Sequence, residues 1–375
     1  MTSIPSASIQ TSPDPPSARP RYEWIDAWRG IAAVFIVWHH LSLYAPQSDL
    51  ADLVAPSAMY MVYNHALYAV HVFLVISGFS IAVSDAQTSL SFGAAVQRFA
   101  KRFWRLAAPY WVALVLFLLI CLGTQQARID LRLLEDYSWP KLLAHWFFMQ
   151  DLLGFGNFAA GTWYLCIIVQ YYVLVLGLLV LVHAWVKQRN VAISAPKAMA
   201  AILVPLGALS AWVWNLDMRY DVTVFYFLGQ LVLGTVLGWV VTHRISHWVL
   251  VLSIVLYSAS LFAQWRPQLW FALFATSGLW LGVSWMPAWS NPRWLRWLSR
   301  ISYSLFLVHY PVNGLVLVAL DGWASGGAVP AFLSMCIAFA CSLLVADRFY
   351  AWVESPSQKA FFWLGVRRAT ASSLR

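Results

Sequence analysis

The chain has 375 residues, of which 61% are hydrophobic and only 10% charged. A soluble domain averages about 25% charged residues, so this composition, with a mean hydropathy of +0.67, excludes a soluble core and points to a polytopic membrane protein. The formal charge of +9 does not call for a nucleic-acid partner, because topology accounts for it below.

Residues 1–21, "MTSIPSASIQTSPDPPSARPR", are rich in Pro and Ser and poor in large apolar groups. They bury too little surface to fold and carry no apolar signal region, so a disordered tail is expected. A span needs about 20 apolar residues. Ten segments qualify, near 28–46, 61–83, 104–123, 162–183, 198–215, 223–242, 248–264, 269–287, 301–320 and 331–352. The piece "KLLAHWFFMQDLL", 141–153, is too short to cross and reads as interfacial or re-entrant. The expected fold is an all-α membrane bundle over 22–360, followed by a basic tail, 361–375.

Ten spans put both termini on one side, and the positive-inside rule makes that side cytoplasmic. Its segments hold, among others, Arg98, Lys101, Arg102, Arg105, Lys187, Arg189, Arg293, Arg296 and Arg300. The opposite side holds only Arg128, Arg132, Lys141, Arg219 and Arg266. Cys121, Cys166, Cys336 and Cys341 lie in apolar runs without a CxxC pair, so neither a disulfide frame nor a metal site is expected. Most of the 23 tryptophans suit interfacial anchoring.

Ionisable groups inside spans are costly and mark functional candidates. "GIAAVFIVWHHLSLYAP", 30–46, carries His39 and His40. At 1.5 Å per residue His40 lies about 16 Å from Arg29 at the inner mouth, which suggests mid-membrane depth. A histidine exchanges protons near neutral pH, so His40 is a candidate base. The alternative is a histidine bonded to a neighbouring helix, and for His39 that alternative is favoured.

"RFAKRFWRLAAPYW", 98–111, sets Arg98, Lys101, Arg102 and Arg105 on one helical stripe. Arginine forks suit phosphate oxygens. The competing reading is a basic helix that grips anionic lipid headgroups and fixes topology. "HVFLVISGFSIA", 71–82, adds His71 and a Ser77-Gly78 pair that permits close helix approach. "GTWYLCIIVQYYVL", 161–174, adds Trp163, Gln170, Tyr171 and Tyr172. "SRISYSLFLVHYPV", 299–312, adds Ser302, Tyr303, Ser304 and His309, and "DRFYAWVESP", 347–356, adds Asp347, Arg348 and Glu354. Each segment alone is equally well read as polar groups bonding within a bundle.

Taken together, in this order, the segments resemble the acyltransferase-3 family of membrane acyltransferases. "WIDAWRGIAAVFIVWHH" resembles the family's opening, with Asp26, Arg29, Gly30 and His40 in the matching places. Arg102 and Arg105 match its Arg-x-x-Arg pair, "ISYSLFLVHYPV" its Ser-Tyr signature, and "VESPSQKAF" its closing Glu-x-Pro element. Two positions depart from the pattern. Ile168 stands where many members carry Glu, and His71 where many carry Asp. His71 is therefore a candidate polar partner of His40.

The resemblance implies transfer of an acyl group, most often acetyl, from cytoplasmic acyl-CoA to a hydroxyl of a carbohydrate or glycolipid such as O-antigen or exopolysaccharide. It also implies a bacterial inner membrane. No permanently bound cofactor is expected, and acetyl-CoA or another acyl-CoA is the donor. His40 would serve as base or as acyl carrier. Arg29, Arg98, Arg102 and Arg105 would bind the donor. Asp26, His71, Trp163, Gln170, Tyr171, Tyr172, His309 and Glu354 would support the site or the acceptor. Two rivals stand beside this reading: a transporter or flippase, and an inactive member of the same fold.

Overall fold

The structure is a computed structural model and describes residues 22–84, 91–123 and 138–359. The expected N- and C-terminal tails, with Arg128 and Arg132, lie outside the described residues. Those described are all helix and loop. Each expected span corresponds to one long helix: α1 Glu23–Tyr44, α2 Ala69–Ser84, α3 Phe92–Gly123, α4 Trp163–Arg189, α5 Ala195–Trp212, α6 Val224–Val241, α7 His247–Ala263, α8 Pro267–Trp285, α9 Arg293–Ala319 and α10 Ala328–Phe349.

Among the described residues, seven helical stretches are long and apolar enough to cross a membrane. The protein is a multi-pass integral membrane protein. The expectation of ten equal spans is relaxed at α1, α7 and α8. The first turn of α1 carries Glu23 and Asp26, and Arg29 follows. α7 is shorter than a full crossing at 17 residues. α8 is rich in Trp and begins with Pro-Gln, which dilutes its hydropathy. The second expected span is also interrupted. A helix over Pro56–Asn64 ends at His65, and a short turn, Ala66–Tyr68, leads into α2. The stripe of cations and the third span form one continuous helix, α3, with Pro109 inside it.

α6 is the central helix, buried almost throughout from Tyr226 to Val240. Its Gly234 backs onto Val75 of α2, where a Cβ would overlap the Val75 carbonyl oxygen. Gly78 of α2 approaches Leu231 in the same way. Small residues let helices of a membrane bundle approach closely, replacing lipid contacts by dense packing. Polar groups lock the junction. Thr235 donates to the Gly78 carbonyl at 3.2 Å, and its hydroxyl lies 2.6 Å from that of Tyr171 on α4. One apolar cluster is built mainly from α2 and α4–α8 and a second mainly from α3, α9 and α10, with α1 contributing to both.

Buried Arg266 precedes α8 and draws two helix ends together. It donates to Ala211 O near the end of α5 and to Ser260 O and Oγ near the end of α7. The side chain gives the Ala211 carbonyl, near a helix end, a donor that lipid could not supply.

Candidate active site

α1 packs along α9, and the two approach closely at Gly30, where a Cβ would sit 3.1 Å from the Ser299 backbone nitrogen. Further along the pair, His40 meets His309. Nδ1 of His40 lies 2.7 Å from Nε2 of His309, and the rings are nearly parallel at 12° with centroids 5.0 Å apart. Nδ1 of His309 lies 2.9 Å from the Leu305 carbonyl. A carbonyl only accepts, so Nδ1 of His309 carries a proton. In the neutral ring, Nε2 is then an acceptor. It follows that Nδ1–H of His40 donates to His309, and that Nε2 of His40 bears the free lone pair.

His40 lines a cavity of about 1650 Å³. His309 is fully buried behind it and does not reach the cavity. α1 ends at Tyr44, about one turn past His40. The helix starts at Glu23, so His40 lies in its C-terminal third. His71 lines the cavity but is not the partner of His40, a role taken by His309. His39 Nδ1 lies 3.2 Å from the Val62 carbonyl, as a structural histidine should.

The cavity runs between two ends of unlike character. One is formed by the starts of α1 and α3 and the end of α2. Arg29, Arg98, Lys101, Arg102 and Arg105 line it, with Asp26 and Glu354. Arg29 is held by Asp26 at 2.7 Å and by the Ser299 hydroxyl at 3.0 Å. The Arg102 guanidinium lies over the Tyr172 ring, 4.9 Å from its centre. Tyr172 donates to the Arg98 carbonyl at 3.4 Å, so it steadies the stripe from α4. Glu354 sits in a wide turn after α10, where its carboxylate accepts from Ser304 at 2.6 Å and Gln358 at 3.1 Å. The other end lies at the starts of α2, α4 and α6. Its lining includes Tyr68, His71, Asp151, Trp163, Asp221 and Tyr226.

A cavity with a fan of arginines at one end and an oriented histidine on its wall has groups that acyl transfer could use. A family model described as an acyltransferase domain, acyltransferase 3, matches residues 22–347. The chain belongs to the acyltransferase-3 family. No curated protein and no solved structure matches it. Glu354 falls beyond the matched residues of this acyltransferase-3 protein, although it lines the same cavity.

Gln170 and Tyr171 stand apart from the cavity. Gln170 accepts from the Val224 backbone at 2.8 Å and donates to the Val222 carbonyl at 3.1 Å, tying α4 to the start of α6. Tyr171 is fully buried against Thr235. Ile168, in the place of the common family acid, lines the cavity as a buried apolar side chain.

Two features were not legible in sequence. Ser77 and Tyr164 line the cavity with hydroxyls 2.6 Å apart, and Tyr164 donates to the Phe73 carbonyl at 3.2 Å. The second is the loop after the short helix Trp139–Trp146, which occupies the segment read as interfacial or re-entrant. Asn157 donates to Asp151 at 2.7 Å, and Thr162 donates to Asn157 at 2.6 Å. Buried His145 anchors the loop, with Nδ1 2.7 Å from the Tyr110 hydroxyl and Nε2 3.1 Å from the Gly156 carbonyl. Burial pushes the His145 pKa down to about 4. The loop closes on Gly161 at φ +86, where a Cβ would meet Phe306 at 3.0 Å and His40 Cε1 at 3.8 Å. Glycine is the residue that takes this backbone shape without strain.

Proposed function

We propose that this acyltransferase-3 protein moves an acyl group, acetyl in the simplest case, from acyl-CoA to a hydroxyl of a carbohydrate or glycolipid. The observation that carries the reading is the oriented His40, whose Nε2 is left free on the wall of a cavity with an arginine-lined end. Coenzyme A is a polyanion, and Arg98, Arg102 and Arg105 supply guanidinium forks for its phosphates. Arg29 is already held by Asp26 and Ser299, and adds fixed positive charge deeper in the same end. The donor side is then cytoplasmic, with both termini on it, in a bacterial inner membrane.

His40 Nε2 takes the proton of the acceptor hydroxyl as its oxygen attacks the thioester carbonyl. The tetrahedral intermediate collapses, the C–S bond breaks, and the thiolate leaves with the proton from His40. His309 accepts the Nδ1–H of His40 throughout, so it favours the imidazolium formed in mid-reaction. Exclusion of bulk water from the site protects the acyl group from hydrolysis.

The test is acyl-CoA binding and slow thioester hydrolysis by purified protein, wild type beside His40→Ala. Binding by both with turnover by the wild type alone is expected. Folded protein that binds no acyl-CoA would overturn the reading and leave a transporter or inactive module in its place.

A further inference from the structure

The cavity is polarised in charge. All of its lining cations belong to one end. At the other, the only charged lining residues among those described, histidines aside, are Asp151 and Asp221. These carboxylates are near enough for Asp221 to act on Asp151. The two ends are well separated: along α2, Val83 and His71 are about 18 Å apart at 1.5 Å per residue.

The far end also holds unused hydrogen-bonding capacity. His71 is 6% exposed and lines the cavity, yet its Nδ1 has no hydrogen-bond partner. Oδ2 of Asp151 is likewise buried without a partner, although its Oδ1 is taken by Asn157. An orphaned buried polar atom is destabilising until it finds a partner. Both belong to side chains that line one cavity, and unsatisfied polar side chains there mark where a ligand's hydroxyls belong.

Around them runs an aromatic wall. His71 lies between Tyr68 and Phe227, with ring centres 6.3 and 6.4 Å away, and Trp163 stacks on Phe227 at 5.2 Å. Flat apolar faces with a few converging polar groups suit a ring that is apolar on its face and hydroxylated at its edge.

We propose that this end is an acceptor subsite for a neutral or amino-bearing sugar ring, and that it rejects anionic sugars. Trp163 supplies the stacking surface, and His71 and Asp151 the hydrogen-bond partners for ring hydroxyls. Asp151 and Asp221 repel carboxylates and phosphates and tolerate ammonium groups. Gly161 ends the loop that carries Asp151, and a Cβ built on it would lie 3.8 Å from His40 Cε1, so a ring bound here is directed toward the base. The inference rests on the acyl-transfer reading for its direction of chemistry but not for its binding chemistry.

The test is ligand-observed saturation-transfer NMR on the protein in lipid nanodiscs, with methyl glucoside, glucosamine, methyl glucuronide and acetyl-CoA as separate probes. Signals are expected from the first two sugars, with the glucuronide at least about tenfold weaker, equivalent to about 1.4 kcal/mol. Asp151→Asn, or Asp221→Asn should the first variant fail to fold, is expected to admit the glucuronide. His71→Phe is expected to weaken the glucoside. Equal binding of glucoside and glucuronide by the wild type would overturn the proposal, as would absence of every sugar signal. Loss of the acetyl-CoA signal alone would count against the donor reading and leave the sugar result to judge this one.

Discussion

Nε2 of His309 stands 2.7 Å from Nδ1 of His40, and the Leu305 carbonyl stands 2.9 Å from the other nitrogen of His309. The three groups form a one-way relay, carbonyl to histidine to histidine. Helix α9 supplies the carbonyl and His309, so the packing of one helix on α1 sets the protonation pattern of His40.

His40→Ala is expected to lower kcat by about 10²–10⁴-fold, the range of general acid–base catalysis. Acyl-CoA affinity should stay near that of the wild type. Single-turnover assays with radiolabelled acetyl-CoA measure both, and also distinguish direct transfer from an acyl-histidine, which would leave label on acid-quenched wild-type protein.

His309→Leu keeps a buried apolar volume but removes the acceptor. It is expected to reduce kcat by about tenfold to a hundredfold, as outer partners of metal-binding histidines do, with KM for acyl-CoA little changed. His309→Gln carries an acceptor oxygen and should recover part of the loss. Equal kcat for the leucine and wild-type proteins would remove His309 from the mechanism.

Arg102→Ala and Arg105→Ala are each expected to weaken acyl-CoA binding by about tenfold to a hundredfold, the worth of a charge-assisted hydrogen bond of 1.5–3 kcal/mol. Titration at two salt concentrations should show a shallower salt dependence in each variant. Unchanged affinity in both would return the stripe to lipid binding.

Gly234→Val is expected to disrupt the junction of α2 and α6, because the group in the way is the Val75 backbone carbonyl. Overpacking costs typically 1–3 kcal/mol where side chains can yield, and here they cannot. Thermal unfolding in detergent should show the loss, whereas Gly177→Ala, with open space around the built Cβ, should melt like the wild type.

His145 gives the loop over the cavity a pH dependence. Its folded pKa is lowered to about 4 from 6.5. A histidine kept neutral by burial contributes its full stability above pH 6.5. That contribution shrinks as pH falls toward 4, because the unfolded chain takes the proton first. The loss is up to roughly 3 kcal/mol at 1.36 kcal/mol per pH unit. Hydrogen-exchange protection over residues 147–162, taken relative to the unfolded-chain rate at each pH, should fall between pH 7 and 5 in the wild type, and less so in His145→Gln.

Composition and hydropathy already determine that the chain is a membrane helix bundle, since lipid leaves the backbone no other partner than its own helix. The spacing of Arg29 and His40 and the stripe from Arg98 to Arg105 are equally local facts, because helical periodicity places them on shared faces. What sequence could not decide is which polar residues meet. Gln170, Tyr171 and Tyr172 are near neighbours with similar polarity, yet only Tyr172 faces the cavity, because α6 packs on the faces that carry the other two. The sequence put forward His71 as the polar partner of His40. Only the approach of α1 to α9 at Gly30 chose His309 and left His71 to the far end of the cavity. Contacts across hundreds of residues depend on how whole helices cross, and crossing is set by the summed fit of small and large side chains rather than by any one motif.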